Sequence, residues 1–189
     1  MSDTKEKILI TALHLFAKNG YEAVSVSMIA GKLGITKGAL YRHFKNKRDI
    51  FQSIVERMRD ADRERAEKYS MPEGTMEETA EAYRQTSLDI IADYTKAQFR
   101  YWTEEEFPSD FRKLLTLEQY LSSGPLMYMA DIFSVLAGSR EDAMQTALEF
   151  FGPFFLLLSA YDSAADKASV TELLDSHVDS FTARLKEKL

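Results

Sequence analysis

Apolar positions recur at helical spacing along almost the whole chain, and glycine, proline and capping residues separate one stripe from the next. Ile8, Leu9, Ala12, Leu13 and Phe16 form the first stripe, which Asn19-Gly20 ends. Ser25 caps a short second helix with Ile29, Ala30 and Leu33 inward and Gly34 as its stop. Thr36 caps a third helix over 37–44, with Leu40 and Phe44 inward. Asn46 caps a fourth, buried through Ile50, Phe51, Ile54, Val55 and Met58 and then charged on nearly every side. After a break at 71–74, Thr75 and Glu78 form a capping box for a helix running to about Thr95 and on toward Trp102. A second break at 107–110 precedes a helix over 111–121, and Ser122-Ser123-Gly124-Pro125 starts another through about Leu136. Ser139 with Asp142 opens a long helix to about Tyr161, and Ser169 with Glu172 caps the last. The expected class is all-α, with a small helical domain over 1–63 and a larger one over 64–189.

Charge is also divided unevenly along the chain. Residues 1–48 carry nine Lys/Arg and three Asp/Glu, a net of +6, whereas 49–189 carry fifteen and twenty-seven, a net of -12. A basic head on an acidic body points to a polyanion as the partner of the head alone. There is no cysteine, so disulfides and thiolate chemistry are excluded. No signal-peptide pattern or run of 18 apolar residues is present, and a cytoplasmic location without membrane partners is expected. No Gly-rich phosphate loop, nucleophile elbow or zinc-ligand spacing appears, so neither enzymatic activity, a cofactor nor a metal is expected.

The cations concentrate in Ile35–Phe51, which holds Lys37, Arg42, Lys45, Lys47 and Arg48 and no acid before Asp49. Two short helices joined by a tight turn, the second basic, describe a helix-turn-helix at about 25–44. Gly38 falls in the first turn of the second helix, where a missing Cβ lets the backbone approach a base edge or thymine methyl. Tyr41, Arg42 and His43 offer donors to phosphate oxygens, and Arg42 can read a guanine. Lys47 opens the fourth helix within reach of another phosphate. His14 lies on the polar side of the first helix and is assigned no role.

The segment FAKNGYEAVSVSMIAGKLGITKGALYRHFKNKRDIF resembles the DNA-binding domain of the tetracycline-repressor (TetR) family. The resemblance rests on Phe16-Ala17, Gly20-Tyr21, Ile29-Ala30, Gly34-Ile35-Thr36-Lys37-Gly38, Leu40-Tyr41-Arg42-His43-Phe44 and Lys47. It implies contacts to double-stranded DNA by Ser25, Ser27, Thr36, Lys37, Gly38, Tyr41, His43 and Lys47, mostly to the backbone. Two departures stand out. The acid usual near Met28 is absent, which leaves Ser25 without its capping-box partner. Arg42 replaces an aromatic or histidine and is the candidate for operator individuality.

The helix over 142–161 is apolar on more than one side, which calls for a partner surface beyond one protomer. The resemblance implies a homodimer through the last two helices, and a two-fold pair predicts a palindromic operator with half-sites about 34 Å apart. Candidate interface residues are Phe151, Phe155, Leu158, Leu174, His177 and Phe181. Aromatics crowd the middle of the chain, and the resemblance implies a small-molecule cavity there. Tyr94, Phe99, Trp102, Tyr120 and Tyr128 are the candidate lining for a flat or lipophilic effector of unknown identity. The expected function is a ligand-responsive regulator, a repressor released by its effector. The alternative is a DNA-binding regulator whose body binds another protein.

Overall fold

The computed structural model describes residues 3–72, 76–114, 125–137 and 140–188. Among them are ten helices and no strand: α1 Asp3–Asn19, α2 Val26–Lys32, α3 Lys37–Tyr41, α4 Lys47–Lys68, α5 Met76–Gln85, α6 Leu88–Glu104, α7 Glu106–Leu114, α8 Pro125–Ala137, α9 Arg140–Ser163 and α10 Lys167–Lys188. Two compact units result, one of Met1–Arg63 with Glu106–Leu115, the other of Glu64–Glu105 with Thr116–Leu189. The boundary of the first unit falls after Arg63, later in the chain than the change of charge after Arg48. Segment 106–115, assigned by sequence order to the larger domain, packs with the amino-terminal unit.

In the amino-terminal unit the first stripe of α1 is buried, as are Val24, Ile29, Ala30, Leu40, Phe44, Ile50, Ile54 and Met58. Phe16, Tyr21 and Phe51 form an aromatic triangle with centroids 5.1–6.3 Å apart. α7 packs on α1 and buries Pro108, Phe111 and Arg112. Pro108 therefore does not break the chain. It sits in the first turn of α7, where its missing N–H has no helical acceptor to lose.

The second unit has a core of Tyr83, Ile91, Phe99, Ile132, Phe133, Phe150, Phe154, Leu158, Tyr161, Leu174, Val178 and Phe181. α8 packs on α9, α9 on α10, and α10 on α6. One stretch of α9, Asp142–Ser163, is long and apolar enough to cross a membrane by length and composition. Here its Ala143, Ala147, Phe150, Phe154 and Leu158 are packed in the protein core. α6 and α10 run antiparallel and in register. Asp89 pairs with Lys186 at 2.6 Å, Lys96 with Asp179, and Arg100 with Asp175, so each step of seven or four along α6 is matched by the same step back along α10.

Three further boundaries differ from expectation. The helix expected from Thr75 to about Thr95 is two helices, because Ser87 turns extended and its hydroxyl accepts from the Asp89 amide at 3.2 Å, starting α6 afresh. The last helix begins at Lys167 and not after Ser169: Asp166 accepts from the Ser169 amide at 3.2 Å and from its hydroxyl at 2.6 Å. Helix α3 ends at Tyr41, short of Phe44. The capping boxes expected at Thr75/Glu78 and Ser139/Asp142, and the stretch 115–124, lie outside the described residues.

Candidate nucleic-acid interface

The turn between α2 and α3 is built by two backbone bonds. The Gly34 amide donates to Gly31 O at 3.1 Å and the Ile35 amide to Ala30 O at 3.0 Å, with Gly34 at φ 67°. That is a Schellman closure, and it needs a left-handed residue that glycine adopts without Cβ strain. Thr36 then turns extended and its Oγ1 accepts from the Ala39 amide at 3.1 Å. Ser25 caps α2 in the same way, accepting from the Met28 amide at 3.2 Å, so the cap forms without the missing acid.

These caps decide which way α3 faces. Leu40 is fully buried and anchors the helix, while Lys37, Gly38, Tyr41 and Arg42 are exposed, Tyr41 by 50%. Ser25, Ser27 and Thr36 are exposed beside them, and His43 is half-buried. A Cβ built on Gly38 meets nothing closer than Thr36 Oγ1 at 3.8 Å. Nothing inside the protein excludes a side chain there, and its φ is not in the left-handed region.

Asp49, the acid closing this basic stretch, is spent on capping. Its carboxylate accepts from the Lys45 amide at 2.7 Å while its own amide donates to Asn46 Oδ1 at 2.9 Å. Asn46 and Asp49 together thus cap the start of α4. Lys47 is also partly engaged. Its Nζ donates to Tyr21 O at 2.8 Å and lies 4.2 Å above the Tyr21 ring, tying the turn after α1 to the start of α4. Lys37, Arg42, Lys45 and Arg48 are the exposed cations of the stretch. Arg57 is turned inward, paired with Glu6 and stacked 3.9 Å from the Phe107 ring centroid.

The other candidate residues are distributed differently. Of the six expected at a dimer interface, Phe151, Leu158, Leu174 and Phe181 are buried in the protomer's own core. His177 is half-buried there too, its Nε2 2.9 Å from Phe150 O. Phe155 is partly buried. The outward apolar residues are Leu148 and Leu156 on α9, the latter 71% exposed, and Leu173 on α10. α9 is apolar all round, so hydrophobicity alone does not mark its outer face. The spacing 148, 152, 156 places Leu148, exposed Gly152 and Leu156 on that face.

Of the five candidate pocket residues, Phe99 is fully buried and edge-on to Phe154 and Tyr161. Tyr94 and Trp102 are partly buried against the same core, Tyr94 edge-on to Tyr69 at 5.9 Å. Gln98 links Tyr94 to Arg65, whose guanidinium lies 3.5 Å from the Tyr101 ring centroid. The side chains of Tyr120 and Tyr128 lie outside the described residues. A groove of about 370 Å³ lies elsewhere, between α9 and α10, lined by Asp142, Glu149, Phe181 and Arg184 among others. It includes none of the five.

Residues 8–54 match the family of bacterial regulatory proteins named tetR. The chain is 45% identical over 56 residues to the uncharacterized HTH-type transcriptional regulator YerO of Bacillus subtilis, across 30% of this chain and 19% of that protein. It is 43% identical over 58 residues to the HTH-type transcriptional repressor BepR of Brucella suis, across 31% of this chain and 28% of that one. These alignments thus span under a third of either relative. Over nearly its whole length the fold matches the transcriptional regulator FadR from Bacillus subtilis in complex with stearoyl-CoA. The TM-score is 0.60 at 19% identity, covering 94% of this chain and 97% of that one.

Proposed function

We propose, from the match of residues 8–54 to the family of bacterial regulatory proteins named tetR, that this protein is a repressor that binds a palindromic operator as a homodimer and is released by a lipophilic or aromatic effector. The observation that carries the DNA-binding part is the outward face of α3. Its amino-terminal turn presents Lys37 and Gly38 to solvent, with Tyr41 and Arg42 beside them, while a single residue, Leu40, is buried. Cations there neutralise phosphates, Arg42 suits the O6 and N7 atoms of guanine, and the bare backbone at Gly38 admits close approach.

Pairing is supported by the outer face of α9 and α10, where Leu148, Leu156 and Leu173 are exposed on neighbouring, mutually packed helices. Two copies related by a two-fold axis would present two α3 helices, matching an inverted repeat with half-sites about 34 Å apart or a multiple of it. Effector binding is supported by the aromatic wall of α6, where Tyr94 and Trp102 lie eight residues apart beside Tyr69 and Tyr101. An acyl or polyaromatic compound fits that chemistry, and a protein of the same fold is known with stearoyl-CoA bound. Each tenfold loss of operator affinity requires about 1.4 kcal/mol of coupling between effector and DNA.

Selection of duplex sites from a random pool tests the reading. It should enrich an inverted repeat. Enrichment of no sequence at about 0.15 M salt would refute it.

A further inference from the structure

Away from α3, the amino-terminal unit brings His14 together with two carboxylates that lie far from it in sequence. His14 projects from α1. Glu106 and Asp110 lie four residues apart on α7 and so share one face of that helix. One ligand atom from each, an imidazole nitrogen and two carboxylate oxygens, lies within 4.8 Å of the others. His14 Nδ1 and Asp110 Oδ2 are already 3.1 Å apart.

We propose that His14, Glu106 and Asp110 bind a divalent transition-metal cation of the zinc class. Metal–ligand bonds of about 2.1 Å require donor separations of about 3.4 Å in a tetrahedron and about 3 Å between neighbours in an octahedron. The His14–Asp110 pair meets that spacing, and a rotamer adjustment of Glu106 closes the rest. One imidazole with two carboxylates favours zinc, cobalt or nickel over magnesium or calcium, which take oxygen ligands alone. The remaining coordination positions are left for water.

The two helices hold the donors in place. α1 and α7 pack together within one unit, and Leu9 and Leu13 of α1 and Phe111 of α7 are buried. Asp110 is 14% exposed, and its other oxygen, Oδ1, faces Lys113 Nζ at 3.5 Å, which leaves Oδ2 for the cation. Lys113 also offsets part of the negative charge, which argues for micromolar rather than tighter affinity. Glu106 makes no hydrogen bond or ion pair among the described residues. A function as third ligand accounts for its place beside a His–Asp pair that is complete without it.

Calorimetric titration of the chelator-stripped full chain with Zn²⁺, with Co²⁺ absorbance as a second readout, tests the site. One Zn²⁺ should bind per chain, and Glu106→Gln and His14→Gln should each weaken it by at least about tenfold. Glu106→Gln is the discriminating variant: it should leave the melting temperature of the metal-free protein unchanged while abolishing the rise that Zn²⁺ gives the parent. Absence of saturable Zn²⁺ binding would overturn the proposal. Parental affinity in both variants would do the same, since the metal would then sit elsewhere, for instance at His43 or His177.

Discussion

Replacing Gly38 by alanine separates the fold's requirements from those of the ligand. Inside the protein the change is free of steric cost, since the new Cβ meets only Thr36 Oγ1 at an ordinary 3.8 Å and the backbone is not left-handed. Alanine is favoured over glycine by about 1 kcal/mol in a helix interior, and somewhat less in the first turn of a five-residue helix. The melting temperature should therefore stay level or rise, by at most about 2–4 °C for a chain of this size. On DNA the sign reverses. A methyl group placed where the backbone is proposed to meet a base edge or sugar would hold the helix off the duplex and weaken the contacts proposed for Lys37, Tyr41 and Arg42. Losing the equivalent of one charge-assisted bond costs about 1.5–3 kcal/mol, or at least about tenfold in affinity. Fluorescence anisotropy on a selected operator and a thermal melt on the same preparation measure the two effects. Affinity within twofold of the parent would refute the close approach of α3. A melt lowered by several degrees would refute the open space at Gly38.

Further outcomes follow from the same geometry. Lys37→Ala should reduce the salt dependence of operator binding by about one ion without changing the melt, and Lys47→Ala should also lower the melt because its ammonium ties Tyr21 to α4. Arg42→Ala should relax preference at one operator position, costing about 1–3 kcal/mol of discrimination there, as read by repeat selection from random duplexes. Leu156→Asp should leave protomer stability within about 0.5 kcal/mol, since the side chain is solvent-facing, yet shift sedimentation toward a single chain. The hydrogen bond from Lys186 holds the Asp89 carboxyl below its ordinary value. That contribution is complete above the ordinary carboxylate range near pH 4 and is lost as pH falls through the lowered value. Lys186→Ala should remove this component of acid sensitivity in denaturant titrations below pH 5.

The parts of the molecule legible in sequence are those whose causes are local. Ser25, Thr36 and Asn46 each cap through an atom three residues away, and Gly34 closes its turn within five residues, so the reading head is written almost entirely in short range. Ser87 is equally local but was hidden by apolar spacing that continues across it from α5 into α6. Long-range placement was not legible. Nothing in the order of residues puts α7 with the amino-terminal unit, brings Glu106 and Asp110 to His14, or sets α6 against α10 in ion-pair register. The outer face of α9 escaped for a different reason. Where apolar residues surround a helix, periodicity carries no direction, and the most hydrophobic positions, Phe151 and Leu158, turn out to be core.

The central claim is that two copies of α3 lie against one face of a duplex. Hydroxyl-radical footprinting of a selected site tests it most directly. Two protected patches related by a dyad are expected, their centres about 34 Å or a multiple of that apart, both lost on replacing Arg42 and Gly38. A single patch without symmetry, or protection unaltered by those replacements, would contradict it.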